Sequence, residues 1–430
     1  MSSAPEHPLA HGQERLLFLD RLTNGHPFFH TPIALDLVGE VDVDGLRTAL
    51  QRLVQRHEIL RTTVHLTAHG GTQRVHEAAE YAWREASIPV NDLTGPLPAE
   101  IITEITRVAR ERIALDVMPL LSCGLYRFGV ERSLLLLRLH HIATDAWSLG
   151  LILRDLEAAH HDSVLPEPAC FRDWALEQRS AEGGPQWRTD SDFWHAQLDG
   201  VDPVVEIPTD RARPDVARHE GAMVQSALGE TTVARADALT KSLRLSPSAV
   251  YLGAWAGVVT GLARRSDVLV GVAFANRQPR YANTVGFFAN QLPLRLTDPS
   301  ASPIHAYLQT VTRTVVGAYE HASHPFEAMV RDGRITPGLS RNPLVQVGFN
   351  FTSDRAPRRP IQLGAALGQQ LDLDLRTSRM DLVLGVRRQP GRATTVLWYD
   401  SDLYSERTAQ DLLERFGTAV EDLIHRVRIL

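Results

Sequence analysis

The chain has 430 residues, of which 43% are hydrophobic and 22% are charged, a balance typical of soluble globular proteins. This composition excludes an intrinsically disordered chain, and the length exceeds what one hydrophobic core usually supports, so we expect two lobes. The net charge is −6, and the arginines are scattered among acidic residues with no basic block that could follow a phosphate backbone. Nucleic acid is therefore not an expected partner.

The two cysteines, Cys123 and Cys170, provide neither a disulfide framework nor the ligand spacing of a zinc site. The N-terminus has no basic start followed by an apolar segment, and the sequence contains no run of about 18 apolar residues. We therefore expect a cytoplasmic protein without a membrane partner or a metal. We also expect a monomer.

In chain order, the apolar stripe of residues 42–58 predicts an amphipathic helix with Asp44 as its N-cap. Residues 61–66 are predicted to form a strand. Four consecutive leucines within 133–139 predict a strand buried on both faces, and residues 147–161 predict the helix that follows it.

Residues 161–220 are rich in proline, glycine and charge, and we interpret them as the crossing between lobes. Two short helical pieces interrupt this stretch, at 171–179 and 192–198. A second α/β pattern then follows. It consists of a helix that starts at Ser246-Pro247, strands at 267–274, 285–296, 342–351 and 381–386, and a helix over the last 25 residues.

The stretch LHHIATDAWS at 139–148 places three titratable groups at the end of the leucine-rich strand: His140, His141 and Asp145. Adjacent strand residues point to opposite faces, so the two histidines cannot chelate one metal ion. Asp145 could be a simple helix N-cap, or it could pair with a cation and brace the loop that carries the histidines. The residues alone leave open whether the histidines are structural or form a positioned acid/base group.

This stretch resembles the HHxxxDG core of condensation domains from nonribosomal peptide synthetases, within the chloramphenicol-acetyltransferase-like superfamily. Further stretches resemble other motifs of that family and occur in the family's order: GQERLLFLD at 12–20, RHEILRTTV at 56–64, FRDWALEQ at 171–178, VGFFANQLPLR at 285–295, HASHPFE at 321–327 and SRNPLVQVGFNF at 340–351.

The resemblance implies an α/β fold with two acyltransferase-like lobes, residues 1–175 and 176–430, arranged as a V with a central tunnel. It also implies that the chain joins an amine or hydroxyl acceptor to a thioester-bound acyl or aminoacyl group. Donor and acceptor carrier proteins would deliver the substrates on phosphopantetheine arms, with a soluble small-molecule acceptor as the alternative. No intrinsically bound cofactor is expected.

Carried over to this sequence, the catalytic motif comprises His141, which faces the tunnel, and His140 and Asp145, which are mainly structural. An arginine braces the aspartate in the family. Arg277 is the candidate for that arginine, and Arg61 is the alternative.

Ser148 is expected to support the site, while Trp147 and Asn350 are expected to bind substrate. Ala146 stands where the family has glycine. Glycine allows a positive φ, so we expect this alanine to keep a negative φ in the first helical turn and to narrow the channel.

His140 distinguishes the chain from heterocyclising relatives, which have aspartate there, and the later motifs distinguish it from epimerising ones. A non-catalytic docking module is a second interpretation, although such relatives tend to lose the second histidine. A free-standing acyltransferase that uses coenzyme A thioesters is a third. No adenylation or carrier domain is recognised in the sequence, so we expect a free-standing enzyme or an excised domain whose partners supply its substrates.

Overall fold

The chain alternates helices and strands along its length, and the computed structural model describes residues 5–68, 70–78, 80–89, 93, 95–333, 338–353 and 359–426. The helices are α1 (His11–Leu22), α2 (Val43–Arg56), α3 (Ala99–Ala109), α4 (Ala146–His160), α5 (Phe171–Ser180), α6 (Pro185–Leu198), α7 (Glu230–Ser242), α8 (Ala249–Ala263), α9 (Ile304–Glu320), α10 (Phe326–Asp332) and α11 (Glu406–Arg426). The strands are β1 (Glu6–Pro8), β2 (Ile33–Val38), β3 (Thr62–Thr67), β4 (Gly70–Val75), β5 (Ala82–Ser87), β6 (Ser122–Arg127), β7 (Arg132–Arg138), β8 (Gly221–Leu228), β9 (Asp267–Phe274), β10 (Asn290–Thr297), β11 (Val347–Ser353), β12 (Ile361–Leu363), β13 (Ala366–Leu371), β14 (Leu382–Gln389) and β15 (Arg392–Asp400).

These elements form two units. The first unit contains Met1–Gly184, Ala275–Ala289 and Arg359–Leu375, and the second contains Pro185–Phe274, Asn290–Arg358 and Arg376–Leu430. The sequence-based division was placed at 175/176. In the structure the first boundary lies after Gly184, and two short segments of the second half also belong to the first unit.

The first unit is built on a six-stranded sheet with the order β12-β13-β2-β7-β6-β5. Leu134, Leu135, Leu136 and Leu137 of β7 are all 0% exposed, which confirms the predicted strand buried on both faces. The late strand β13 extends this sheet by antiparallel pairing with β2. A separate three-stranded sheet has the order β1-β4-β3.

Helix α2 packs against α4 in the first unit, as its apolar stripe predicts. Its N-cap is Asp42, whose carboxylate accepts a hydrogen bond from the Gly45 N–H at 3.0 Å, and not Asp44 as predicted. Asp155 of α4 is buried and accepts hydrogen bonds from Arg56 Nε at 3.0 Å and His57 Nε2 at 2.9 Å. These bonds fix α4 against the end of α2.

The second unit is built on a six-stranded sheet with the order β10-β9-β11-β14-β15-β8. Helix α8 is apolar on nearly all sides and therefore lies inside the core, where Trp255 is fully buried. Its N-cap is Ser248, two residues after the predicted Ser246 start. The α/β class is confirmed.

Most predicted elements occur close to their predicted positions, and the bounds of β9 match the prediction. Residues 285–289, predicted as strand, lie outside β10 and belong to the first unit. The predicted C-terminal helix is present up to Arg426, and residues 427–430 lie outside the described part of the chain. Within that described part, no helix combines the length and apolarity needed to cross a membrane.

Candidate active site

The two histidines lie in a turn and not on a strand. Strand β7 ends at Arg138, His140 forms an isolated bridge with His30, and His141–Ala143 form one turn of 3-10 helix. The sequence suggested that strand geometry points the two histidine side chains to opposite faces. In the structure the turn, and not a strand, gives the two side chains different environments. His140 is 3% exposed, whereas His141 is only partly buried.

The His141 ring has a defined orientation. Its Nδ1–H donates a hydrogen bond to the main-chain oxygen of Thr144, the residue at the end of the turn. In the neutral imidazole, Nδ1 then holds the proton and Nε2 carries the lone pair. A lone pair at Nε2 is what a general base or a hydrogen-bond acceptor for a nucleophile requires.

The His140 ring is part of the scaffold. Its Nδ1 accepts a hydrogen bond from the Ile142 N–H at 3.0 Å, so its proton lies on Nε2, which faces the Asp20 carboxylate at 3.8 Å. Burial raises the pKa of the Asp20 carboxyl above its ordinary value, although nearby arginines oppose that shift. His140 therefore caps the 3-10 turn that begins at His141.

Gln13 of α1 anchors the same turn from another part of the chain. Its side chain is fully buried; Nε2 donates to the Ile142 oxygen at 3.0 Å, and Oε1 accepts from the Ala10 N–H at 3.1 Å. Both halves of the amide are used, which ties the start of α1 to the histidine turn.

Asp145 is the N-cap of α4 and also the centre of a buried ion pair. Its Oδ1 accepts from the Ser148 N–H at 2.8 Å and from Arg277 Nη2 at 2.9 Å, while Oδ2 accepts from the Phe288 N–H at 3.1 Å. The carboxylate thus receives three hydrogen bonds in a place that is almost closed to water. Asp145 is therefore both the helix N-cap and the ion-pair partner, the two roles that the sequence left open.

Arg277 is the cation of this pair, and its side chain is 3% exposed. Besides Asp145, it donates to the main-chain oxygens of Tyr281 and Thr284, and its guanidinium lies 4.1 Å from the ring centroid of Phe288. Burial lowers the pKa of the Arg277 guanidinium below its ordinary value, and the Asp145 carboxylate opposes that shift. The side chain stays charged because arginine does not lose its proton in proteins.

Ser148 joins the same network through its hydroxyl. The oxygen donates to the Gly286 oxygen at 2.8 Å and accepts from the Gly286 N–H at 3.0 Å and from Arg277 Nη2 at 2.7 Å. One donor and two acceptor positions are then all occupied. Gly286 must lack a side chain here, because a Cβ would lie 2.0 Å from Cδ2 of Phe171.

The two residues after Asp145 are exposed. Ala146 is the first residue of α4 and has helical backbone outside the left-handed region, as its alanine side chain requires. Trp147 is 51% exposed, and its indole N–H donates to the Ala282 oxygen at 3.0 Å. The Trp147 ring therefore offers an apolar face next to the network.

The remaining two predicted residues lie elsewhere. Arg61 donates to the main-chain oxygen of His76, so the structure pairs Asp145 with Arg277 and places Arg61 in a different contact. Asn350 is an exposed residue within β11 of the second unit, where it lies opposite Gly385 of β14.

Four residues around the site received no role from the sequence, namely Gln13, Thr144, Gly286 and Phe287, whose ring lies 4.9 Å from the His141 ring between centroids. All four lie within stretches that match family motifs, which was the only available signal. The hydrogen bonds of the first three residues involve main-chain atoms, which residue types do not reveal. Among the described residues, no cluster of three or more histidine, cysteine, aspartate or glutamate side chains could hold a metal ion.

The chain is similar to known proteins in both sequence and fold. The sequence model of the family described as Condensation domain matches residues 3–428. The phosphinothricin tripeptide synthetase PhsC of Streptomyces viridochromogenes is 31% identical over 435 residues, which cover 95% of this chain and 38% of that protein. The chain spans between 5% and 38% of the length of the curated relatives compared.

Two solved structures extend the comparison. The complex of the X-domain and OxyB from teicoplanin biosynthesis matches with a TM-score of 0.85 at 25% identity, covering 99% of this chain and 95% of that one. The first condensation domain of the calcium-dependent antibiotic synthetase, solved with a substrate analogue, matches with a TM-score of 0.79 at 18% identity over 100% of both chains. These similarities confirm the condensation-domain fold of the chain.

Proposed function

Since this chain belongs to the condensation-domain family, we propose that it transfers an acyl or aminoacyl group from a thioester to an amine or hydroxyl acceptor. In this reaction the acceptor attacks the thioester carbonyl, a C–N or C–O bond forms, and the C–S bond breaks. The acceptor's proton leaves with the thiol. The product is an amide or an ester of the kind needed in nonribosomal peptide biosynthesis.

The observation that carries this proposal is the orientation of His141. The hydrogen bond from Nδ1–H to the Thr144 oxygen leaves Nε2 as the acceptor, and the partly exposed ring can meet a substrate. Asp145, Arg277 and Ser148 hold the end of the turn that carries it. His141 is then the one catalytic residue, and the other members of the network position it.

The role of His141 depends on the acceptor. A free α-amine has a pKa of roughly 7.7 to 8.0, so an appreciable fraction is already neutral near pH 7 and needs little base catalysis. For such an amine, His141 would orient the nucleophile and stabilise the tetrahedral intermediate. An alcohol must lose its proton during attack, and general base catalysis is worth about 10²- to 10⁴-fold there.

The test compares matched amine and alcohol acceptors in the native protein and in His141→Ala. We expect ester formation to fall by about 10²- to 10⁴-fold and amide formation to fall by clearly less. His161→Ala is the control, because His161 lies at the end of α4 and contacts the Gln362 oxygen. Equal losses with both acceptors would rule out a base role that is specific to alcohols, and unchanged rates would rule out the proposed catalytic residue.

We also propose that the acyl donor and the acceptor arrive on the phosphopantetheine arms of carrier proteins. The similar proteins support this source, since they include multidomain synthetases: the chain matches 33% of the length of a holo four-domain nonribosomal peptide synthetase. Donor assays should use the same acyl group on a carrier protein and on coenzyme A, with product detected by mass spectrometry. A higher kcat/KM with coenzyme A would contradict the carrier-protein source.

A second candidate function is a non-catalytic docking module. It is favoured by the likeness to an X-domain that was solved in complex with OxyB. This function predicts no product with either donor, together with stable binding of a separate protein. Product formation that depends on His141 would exclude it as the sole function.

A further inference from the structure

The His141 ring is flanked by two phenylalanine rings. The Phe287 ring lies edge-on to it with 4.9 Å between centroids and 67° between planes, and Phe29 lies 6.4 Å away at 62°. Phe287 is 6% exposed. Its neighbours in the chain are held on both sides, because the Gly286 N–H donates to Ser148 and the Phe288 N–H donates to Asp145. The Phe287 backbone therefore has little room to move.

The Phe287 ring also approaches helix α1 at Gly12. A Cβ added at Gly12 would lie 2.7 Å from Cε1 of Phe287, closer than two carbon atoms can pack. Gly12 has no left-handed backbone that would call for glycine, and glycine is unfavourable in a helix. A methyl group at Gly12 would therefore have to displace the Phe287 ring.

These contacts add to the support of His141. The imidazole turns about its Cβ–Cγ bond, and the hydrogen bond from Nδ1–H to the Thr144 oxygen restrains this rotation at one edge of the ring. An aromatic edge against the ring restricts this rotation and thereby sets the direction of Nε2. Gln13, next to Gly12, holds the Ile142 oxygen in the same turn. Two consecutive residues of α1 thus support the histidine turn, Gln13 directly and Gly12 through Phe287.

We propose that Phe287 is a positioning residue for His141, and that the absence of a side chain at Gly12 allows the Phe287 ring to lie against the imidazole. This proposal rests on the proposed function. The pair acts through a chain of contacts from α1 to the imidazole. Gly12 touches Phe287, and Phe287 touches His141. Neither residue takes part in the chemical step.

The first test is a double-mutant cycle with Gly12→Ala, Phe287→Ala and both together. A displacement of about 1 Å in a catalytic group can cost on the order of 10²-fold, so we expect each single variant to lower kcat by about 10- to 100-fold, with a smaller change in KM. In the Phe287→Ala background, Gly12→Ala should change kcat by less than about twofold, because the ring it collides with is gone. Multiplicative losses in the double variant would overturn the link between the two residues.

Two further variants serve as controls. Gly261→Ala in α8 adds a methyl group to another helical glycine, but its Cβ has open space around it, so kcat should not change. Phe287→Leu keeps much of the side-chain volume and should retain more activity than Phe287→Ala. If Phe287→Leu lost as much activity as Phe287→Ala while both stayed folded by circular dichroism, a packing role would be excluded.

The second test does not depend on activity. Histidine ¹⁵N NMR of the intact chain can identify His141, among 18 histidines, by the signals that His141→Ala removes. We expect one tautomer, with the proton on Nδ1, in the native protein, and averaging of both tautomers in Gly12→Ala and Phe287→Ala. Unchanged His141 signals in both variants would overturn the positioning role. Altered signals in a chain without condensation activity would uphold that role and refute the proposed function instead.

Discussion

Replacing Asp145 by asparagine removes the charge from the buried network and keeps its shape. The carboxylate accepts three hydrogen bonds, from the N–H groups of Ser148 and Phe288 and from Arg277 Nη2. An asparagine amide has only one acceptor oxygen. If that oxygen keeps the Ser148 and Arg277 contacts, the NH₂ group faces the Phe288 N–H, and two donors then oppose each other. Turning the amide by 180° places the NH₂ group against the guanidinium, which is worse.

The expected cost follows from the burial of the pair. Arg277 and Asp145 side chains are each 3% exposed, so the guanidinium has no access to water that could replace the lost carboxylate. Removing one member of a buried ion pair costs about 3–5 kcal/mol, mostly because the other charge stays behind. We therefore expect Asp145→Asn to lower the free energy of unfolding by about that amount.

Urea unfolding followed by tryptophan fluorescence measures this loss, since the Trp174 ring lies 5.4 Å, between centroids, from the ring of Phe288. Asp116→Asn is the matched control. Asp116 pairs with Arg21 at 2.8 Å, but those side chains are 39% and 37% exposed, and solvent screening limits such a pair to about 0–1 kcal/mol. A loss for Asp145→Asn no greater than the control would refute the reasoning that this pair holds the start of α4.

Three further predictions concern the same turn and its surroundings. Burial lowers the pKa of the His30 imidazole from 6.5 to about 4, so the unfolded chain binds more protons than the folded chain between those pH values. The free energy of unfolding should therefore fall by up to about 3 kcal/mol as the pH drops from 6.5 to 4. In urea titrations, His30→Gln should show a shallower dependence of this free energy on pH. Ser148→Ala leaves both main-chain groups of Gly286 without their Ser148 partner. It should lower the free energy of unfolding by about 1–3 kcal/mol in the same urea assay. A loss below about 0.5 kcal/mol would contradict the role of Ser148 in the network. Ala146→Gly should cost no more than about 1 kcal/mol and should shift acyl preference towards larger groups in competition assays, whereas an unchanged preference would make this alanine functionally neutral.

The start of α4 could be predicted from the sequence because its signals are local. Asp145 precedes an apolar helical stretch, and a carboxylate at that place is either a cap or an ion-pair partner. The choice of Arg277 came from the resemblance to a family and not from any spacing. The sequence predicted that His141 is the more accessible histidine, but for the wrong reason, since a 3-10 turn and not strand parity separates it from His140.

Other features could not be predicted, because they depend on main-chain atoms that are far apart in sequence. Residues 285–289 have the apolar composition of a strand, yet their N–H and carbonyl groups bind Ser148 and Asp145 at the start of α4. Strand β13 likewise joins the sheet of the first unit from the far end of the chain. Composition predicts that such segments are buried but cannot state which partner their backbone takes.

The pattern of these contacts has a consequence for which positions tolerate substitution. Each of these hydrogen bonds joins a side chain to a main-chain group. Gln13 binds the Ile142 oxygen, Asp145 binds the Phe288 N–H and Ser148 binds the Gly286 oxygen. A main-chain group is present whatever residue carries it, so the side chains at Ile142 and Phe288 are constrained by packing and not by these hydrogen bonds. Specificity for residue type is therefore concentrated on the side-chain partners, and a motif in the sequence records only that half of each contact. The exceptions are glycines whose Cβ would collide with a ring, because there the backbone partner also depends on residue type.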